Sequence, residues 1–151
     1  MPVEPLPSVS ADPSEHGLVR ALELAGLSRR SLIYVTGAAS LPALLWLCRQ
    51  GFERALHVHP QSPRCGVEPA DALLIPHLFQ ARDLTPLMPV AGLVRDGGVL
   101  LVRAGQRLDE AKAVAALAAP FGFDLRPRLS DKGRAVYLAR REGRMVQHKA
   151  A

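Results

Sequence analysis

Four short apolar runs, Ser31–Val35 (SLIYV), Arg54–His59 (RALHVH), Asp71–Ile75 (DALLI) and Val99–Arg103 (VLLVR), alternate along the chain with segments of helical periodicity. This order is what most narrows the fold. A strand, a crossover helix and a second strand in one sheet close right-handed and leave the strands parallel. The order therefore predicts an α/β domain with a mainly parallel sheet and helices on both faces. DALLI is apolar enough to be buried on both sides. Phe123–Arg128 and Arg134–Arg140, around Ser130-Asp131-Lys132-Gly133, read as an antiparallel pair closing one edge. That makes three layers and a sheet of about six strands with a C-terminal antiparallel hairpin.

The helices carry their own punctuation. Asp12 caps the first, Pro13 fits its opening turn and Glu15 completes a box-like D-x-x-E. Leu18, Leu22 and Ala25 form its apolar stripe, and Gly26 ends it. A second helix begins near Ser40, with Leu41, Leu44, Leu45 and Cys48 spaced i, i+3, i+4, i+7 as the expected core face. This makes Cys48 a small buried hydrophobe and places Trp46 off the stripe, packing on a flank of the sheet. Leu84–Val94 is expected to be helical with an irregular first turn at Pro86 and Pro89. Asp96-Gly97-Gly98 is a turn that launches the fourth run, and Leu108–Ala119 is a helix stopped by Pro120 and Gly122. Residues 1–11 are expected to be a flexible tail, 12–141 the domain and 142–151 a basic tail.

The chain has 151 residues, 48% of them hydrophobic, enough for one buried core. No apolar run approaches the roughly 20 residues that cross a bilayer. The first ten residues hold Glu4 and no basic residue, unlike a secretory leader. Cys48 and Cys65 are too few for a disulfide framework. The expected location is cytoplasmic, with no membrane contact. The net charge of +5 permits a nucleic acid partner. Lysine occurs only at Lys112, Lys132 and Lys149, so the arginine excess also suits a GC-rich genome, as in bacteria.

The stretch from Ser31 to Arg141 resembles the class I S-adenosylmethionine-dependent methyltransferases, a Rossmann-like fold. SLIYVTGAAS is similar to the family's first strand and loop, and DALLIPHLF to a central strand. LVRDGGVLLVRAG is similar to its L-x-P-G-G-x-L turn and following strand, with Asp96 where proline is frequent. FDLRPRLSDKGRAVYLARR resembles its final hairpin. The resemblance implies a cofactor crevice at the carboxyl ends of the first strands. In it Thr36, Gly37 and Ala38 would face the methionine moiety, His59 the ribose, and Pro76 with His77 the methyl-transfer end. His77 would then be the candidate general base.

The same comparison shows what has been lost. In the family's D/E-x-G-x-G loop Gly37 survives, the acid is missing and alanine replaces the second glycine. His57-Val58-His59-Pro60 stands where a carboxylate would accept hydrogen bonds from both ribose hydroxyls. The Gln61–Ala70 connection, about ten residues, is shorter than the dozen or more a crossover unit needs, so a helix and a strand that wall the adenine pocket are missing. Ile75-Pro76-His77-Leu78 keeps one proline of the D/N-P-P-Y/F motif.

These losses make a non-catalytic methyltransferase-like domain the leading expectation, with no cofactor, acting through a protein partner or as a homodimer paired at the second strand's edge. The alternative is a compact S-adenosylmethionine-dependent methyltransferase. A small nucleic-acid-binding module using Arg126, Arg128, Lys132 and Arg134 is the third reading, and charge on a hairpin edge equally serves to keep that edge solvated. Thr36-Gly37 also matches the start of a short-chain dehydrogenase loop, but Leu41-Pro42-Ala43 replaces the later glycines and Tyr137 lacks a lysine four places on. His57, His59, Cys65 and His77 could be drawn as a metal site, without the tight ligand pairs of structural zinc. Cys65 beside Arg64 reads as an exposed thiol.

Overall fold

A computed structural model describes residues 16–61, 66–105, 108–126, 129–131 and 134–142. The Asp12–Glu15 cap, Cys65, Arg128, Lys132 and both proposed tails apart from Glu142 lie outside them. The elements run α1 (His16–Leu24), β1 (Leu32–Val35), α2 (Ser40–Arg49), β2 (Arg54–His57), β3 (Ala70–Leu78), a 3-10 segment (Ala81–Leu87), α3 (Met88–Ala91), β4 (Val94–Gly105), α4 (Leu108–Ala118), a 3-10 turn (Ala119–Phe121), β5 (Phe123–Leu125), β6 (Leu129–Asp131) and β7 (Arg134–Arg141).

The strands form one seven-stranded sheet in the order β2-β1-β3-β4-β7-β5, with β6 also on β7. β2, β1, β3 and β4 are parallel, and β7 is antiparallel to β4, β5 and β6. Because β4 occupies one side of β7 throughout, β5 and β6 share the other side as two halves of one interrupted strand. Leu125 pairs with Ala139 and Leu129 with Val136, so four steps on one side oppose three on the other. That mismatch is a bulge. Across its width the sheet thus has six positions, as expected from the sequence.

Two apolar clusters lie on opposite faces. Tyr34, Leu73, Ile75, Leu100, Val102 and Tyr137 point towards α3, α4 and the first 3-10 segment. Ile33, Val35, Leu74, Leu101 and Val136 point towards α1 and α2. The period-2 alternation along each strand sends neighbouring residues to the two layers. α1 buries Leu18, Leu22 and Ala25 as expected. It ends on Gly26 at φ +75°, with Gly26 N–H donating to Glu23 and Leu27 N–H to Leu22. This is a Schellman closure that glycine accepts without steric cost.

α2 corrects the sequence reading. Its buried face is Ser40, Ala43, Trp46 and Leu47, while Leu41 is 65% and Leu45 51% exposed and Cys48 is exposed. Two apolar faces compete on this helix, and the one carrying the indole wins because Trp46 buries more area than any leucine. The expected stripe therefore faces out. The segment expected as a helix from Leu84 to Val94 is 3-10 up to Leu87 and α-helical for only the four residues of α3, and β4 begins at Val94 rather than Val99. Pro86 lies inside the 3-10 segment, where it has no N–H to extend an α ladder, and Pro89 sits in the first turn of α3, where none is needed.

The connection from β2 to β3 has no helix among its described residues, and these show how it packs. Val67 packs on the Tyr34 cluster and the Tyr34 O–H donates to the Glu68 carbonyl. Arg54 pairs with Glu68 at 2.7 Å. Burial, then the Glu68 charge, raise the Tyr34 pKa against an opposing Arg54, which keeps the phenol a donor. An extended strap thus covers what a crossover helix would otherwise cover.

At the amino ends of the parallel strands Asp71 accepts the Leu32 N–H at 2.8 Å and the Arg95 guanidinium at 2.6 Å. Burial pushes its pKa up, but Arg95, the Leu32 amide and Arg54 together outweigh it and hold the carboxyl below its ordinary value. A depressed carboxylate stabilises the fold above its unfolded pKa near 3.9, and that contribution is lost as pH falls through the folded value. Asp71→Asn is expected to cost about 1–2 kcal/mol at pH 7. Urea titrations at pH 7 and below pH 4 check this: the gap between variant and native should shrink in acid, and a constant gap would contradict it.

Candidate functional site

β1 and β2 end side by side, Val35 being paired with both His57 and Leu74, while β3 runs on to Leu78. Thr36 N–H continues the ladder to Leu74 O at 3.1 Å, and Val58 N–H reaches Val35 O at 2.9 Å. Thr36-Gly37-Ala38-Ala39 then turns from the sheet into α2 between the ends of its neighbours. The structure thus brings Thr36, Gly37 and Ala38 to the same edge of the sheet as His59 and Pro76-His77.

The loop backbone is unusual. Gly37 has φ +88°, and Ala39 at φ +62° is the only non-glycine with positive φ among the described residues. An L-residue held left-handed costs about 1 kcal/mol. Ala39 therefore keeps the backbone that the missing second glycine would adopt freely. Ser40 Oγ donates to the Gly37 carbonyl, which fixes the turn, while Ala38 and Ala39 are exposed. Thr36 is wholly buried, and its Oγ1 has no hydrogen-bond partner among the described residues. A buried orphan hydroxyl is a cost unless something satisfies it.

Leu87, from the 3-10 segment, closes the floor. A Cβ on Gly37 would lie 3.0 Å from Leu87 Cδ1 and 3.6 Å from Ile75 Cγ2. Pro76 is buried, and its carbonyl accepts the Arg103 Nε at 3.1 Å. His77 is half-buried and meets Phe79 edge-to-face, with ring centroids 4.2 Å apart, and Phe79 is 68% exposed. His59 is exposed, and its Nδ1 accepts the Gln61 N–H at 3.2 Å. Leu87, Phe79 and Arg103 were not singled out from the sequence. Phe79 could have been, since it stands one residue beyond the matched IPHL segment.

The alternative sites are less well served. β1 lies between β2 and β3, so His57 and the strand carrying His77 are two strand spacings, roughly 10 Å, apart, and His77 stands three residues further along β3 than the level of His57. No group of three or more His, Cys, Asp or Glu that could hold a metal occurs among the described residues. Arg126 lies 3.7 Å from Asp124, and the Arg134 side chain lies outside the described residues. Arg140 donates to the Gly97 and Ala25 carbonyls, and Arg141 to those of Gly92 and Val94. These last two guanidiniums brace the amino end of the sheet, where cavities of about 190 Å³ and 470 Å³ open beside Arg95. A smaller cavity of about 70 Å³ lies between Ala39, Pro42, Trp46 and Arg103. No described helix is long and apolar enough to cross a membrane.

No family model matches the chain, and no curated protein does. Solved structures do. An S-adenosylmethionine-dependent methyltransferase from Aquifex aeolicus matches at TM-score 0.60 and 13% identity, covering 92% of this chain and 99% of that one. A ribosomal protein methylase from Lactobacillus delbrueckii subsp. bulgaricus matches at 0.63 and 11%, covering 83% and 77%. The fibrillarin pre-rRNA processing protein of Methanococcus jannaschii matches at 0.58 and 16%, covering 87% and 77%. The chain has the class I methyltransferase-like fold. Likeness at these identities establishes the fold, and activity has to be argued from the site.

Set against S-adenosylmethionine, the loop after β1 offers a left-handed backbone with Ala38 and Ala39 exposed and the buried Thr36 hydroxyl beneath it, while the described residues at the end of β2 are His57 and His59 and no carboxylate.

Proposed function

We propose that this protein is a compact S-adenosylmethionine-dependent methyltransferase, with its cofactor held chiefly at the methionine end. The observation that carries this reading is the left-handed Ala39, since a strained backbone at a ligand loop is retained where the geometry itself is used. The backbone amides at Ala38 and Ala39 would bind the methionine carboxylate, the buried Thr36 would hold the loop beneath them, and His59 would meet the ribose. When bound, the cofactor supplies an electrophilic methyl group on a sulfonium. His77 would accept the proton of the methyl acceptor, a task suited to an imidazole whose ordinary pKa lies near neutrality. Phe79 would offer the acceptor an apolar wall at the mouth.

Thr36→Val tests this. Valine has nearly the shape of threonine without the orphan oxygen, so the free protein should gain stability, about 1 kcal/mol. Its affinity for S-adenosylmethionine should fall several-fold. Equal affinity in the two proteins would remove Thr36 from the site.

A second reading is supported by a separate observation. β2 is an outer strand whose residues are mostly exposed, and an open edge is a pairing surface for another chain. On this reading the domain acts by binding a protein partner, with or without catalysis.

A further inference from the structure

The open edge can be read in more detail. Val58 donates its N–H to Val35, so Arg54 and Leu56 also turn their backbone groups towards β1. Ala55 and His57 turn theirs outwards. Leu56 lies on the Tyr34 face, where the strap replaces a helix, and it is 53% exposed. On the opposite face α2 packs over β1 and β2 with Leu41, Leu45 and Cys48 uncovered. Among the described residues the outer edge of β2 thus runs beside an uncovered Leu56, which an edge strand rarely leaves bare.

We propose that this edge pairs with the same edge of a second copy, antiparallel, about a two-fold axis through Leu56. The inference names the occupant of the edge in the second reading and rests on it, and it is independent of cofactor binding. In this register Ala55 exchanges both backbone bonds with His57 of the partner subunit, and His57 with the partner's Ala55. Leu56 meets its own copy across a non-hydrogen-bonded position. Arg54 lies opposite the partner's Val58, and Glu53 opposite the partner's His59, so no like charges face each other. A slip of one residue would set outward groups against inward ones and form no ladder. A slip of two towards the carboxyl end would set His57 against its own copy and lose the Leu56 pair. The two α2 helices come to flank the axis on one face of a continuous sheet. The contact is isologous and closes as a dimer.

The test uses the full chain with Cys48→Ser and Cys65→Ser. Light scattering from about 10 to 500 μM should show a dimer forming as concentration rises. Adding Leu56→Cys should give an oxidised cross-linked dimer, because α-carbons at a non-hydrogen-bonded pair lie about 4.5 Å apart. Ala55→Cys should not cross-link. Leu56→Lys should leave the melting temperature unchanged and the protein monomeric. A monomer at every concentration overturns self-pairing and leaves the edge to a different chain. Cross-linking through Ala55→Cys instead overturns the register. A dimer indifferent to both Leu56 substitutions overturns edge pairing altogether.

Discussion

Gly98→Ala is expected to destabilise the protein by about 3 kcal/mol, at the upper end of ordinary overpacking. A Cβ at this position would lie 2.5 Å from Val94 Cγ1, 2.8 Å from the Asp71 carbonyl and 3.0 Å from the Arg95 carbonyl. Two of these contacts are backbone and cannot rotate away. The crowding has a structural origin: β4 pairs with β3 at Val94↔Ala70 and again at Val99↔Ala72, so the strand absorbs extra residues where Asp96-Gly97-Gly98 folds against its neighbour. Relief would require moving Asp71, which is hydrogen-bonded to Leu32 and Arg95. In a domain of this size the loss corresponds to a fall of roughly 6–12 °C in melting temperature. Gly92→Ala is the control, since its new Cβ would meet only the Pro89 carbonyl at 3.4 Å. Thermal melts of both variants check the account, and equal melting temperatures would contradict it.

Leu87→Ala should move stability and cofactor affinity in opposite directions. Leu87 is 9% exposed, so its truncation costs roughly 2–4 kcal/mol through lost burial and the space left behind. That space opens against Gly37, the glycine of the loop proposed to hold the methionine moiety. If this floor is what restricts the crevice, the variant should bind S-adenosylmethionine about tenfold more tightly, a gain of about 1.4 kcal/mol. Denaturant titration and calorimetry on one preparation separate the two effects. A folded variant with unchanged or weaker affinity would show that Leu87 is core packing and nothing more.

The sheet was legible because each strand is an apolar run bounded by glycine, proline or charge, and such runs have few other uses in a short chain. The missing crossover was legible from length alone. α2 was not, because Leu41-Leu45-Cys48 and Ala43-Trp46-Leu47 are both acceptable helical stripes and only packing decides between them. The Leu84–Val94 segment was expected to be helical with an irregular first turn at its prolines, and it is 3-10 through Leu87 and α-helical only from Met88 to Ala91. Matching a loop pattern singled out Thr36, Gly37 and Ala38, which stand at the carboxyl end of β1. The left-handed Ala39 was not foreseen, since a substitution away from glycine is ordinarily read as loss of that geometry. Leu87 was invisible because it reaches Gly37 across fifty residues of chain. The brace formed by Arg140 and Arg141 was hidden for a related reason: a run of arginines at a chain's end reads as free charge, and only the fold shows the carbonyls they serve.

Isothermal titration of the native protein with S-adenosylmethionine and with S-adenosylhomocysteine decides whether the loop after β1 serves this cofactor. Saturable heat is expected for both ligands, with dissociation constants on the order of 10–100 μM, weak because histidines stand where a carboxylate would hold the ribose. No heat from either ligand at about 1 mM, in a protein shown to be folded, would contradict it.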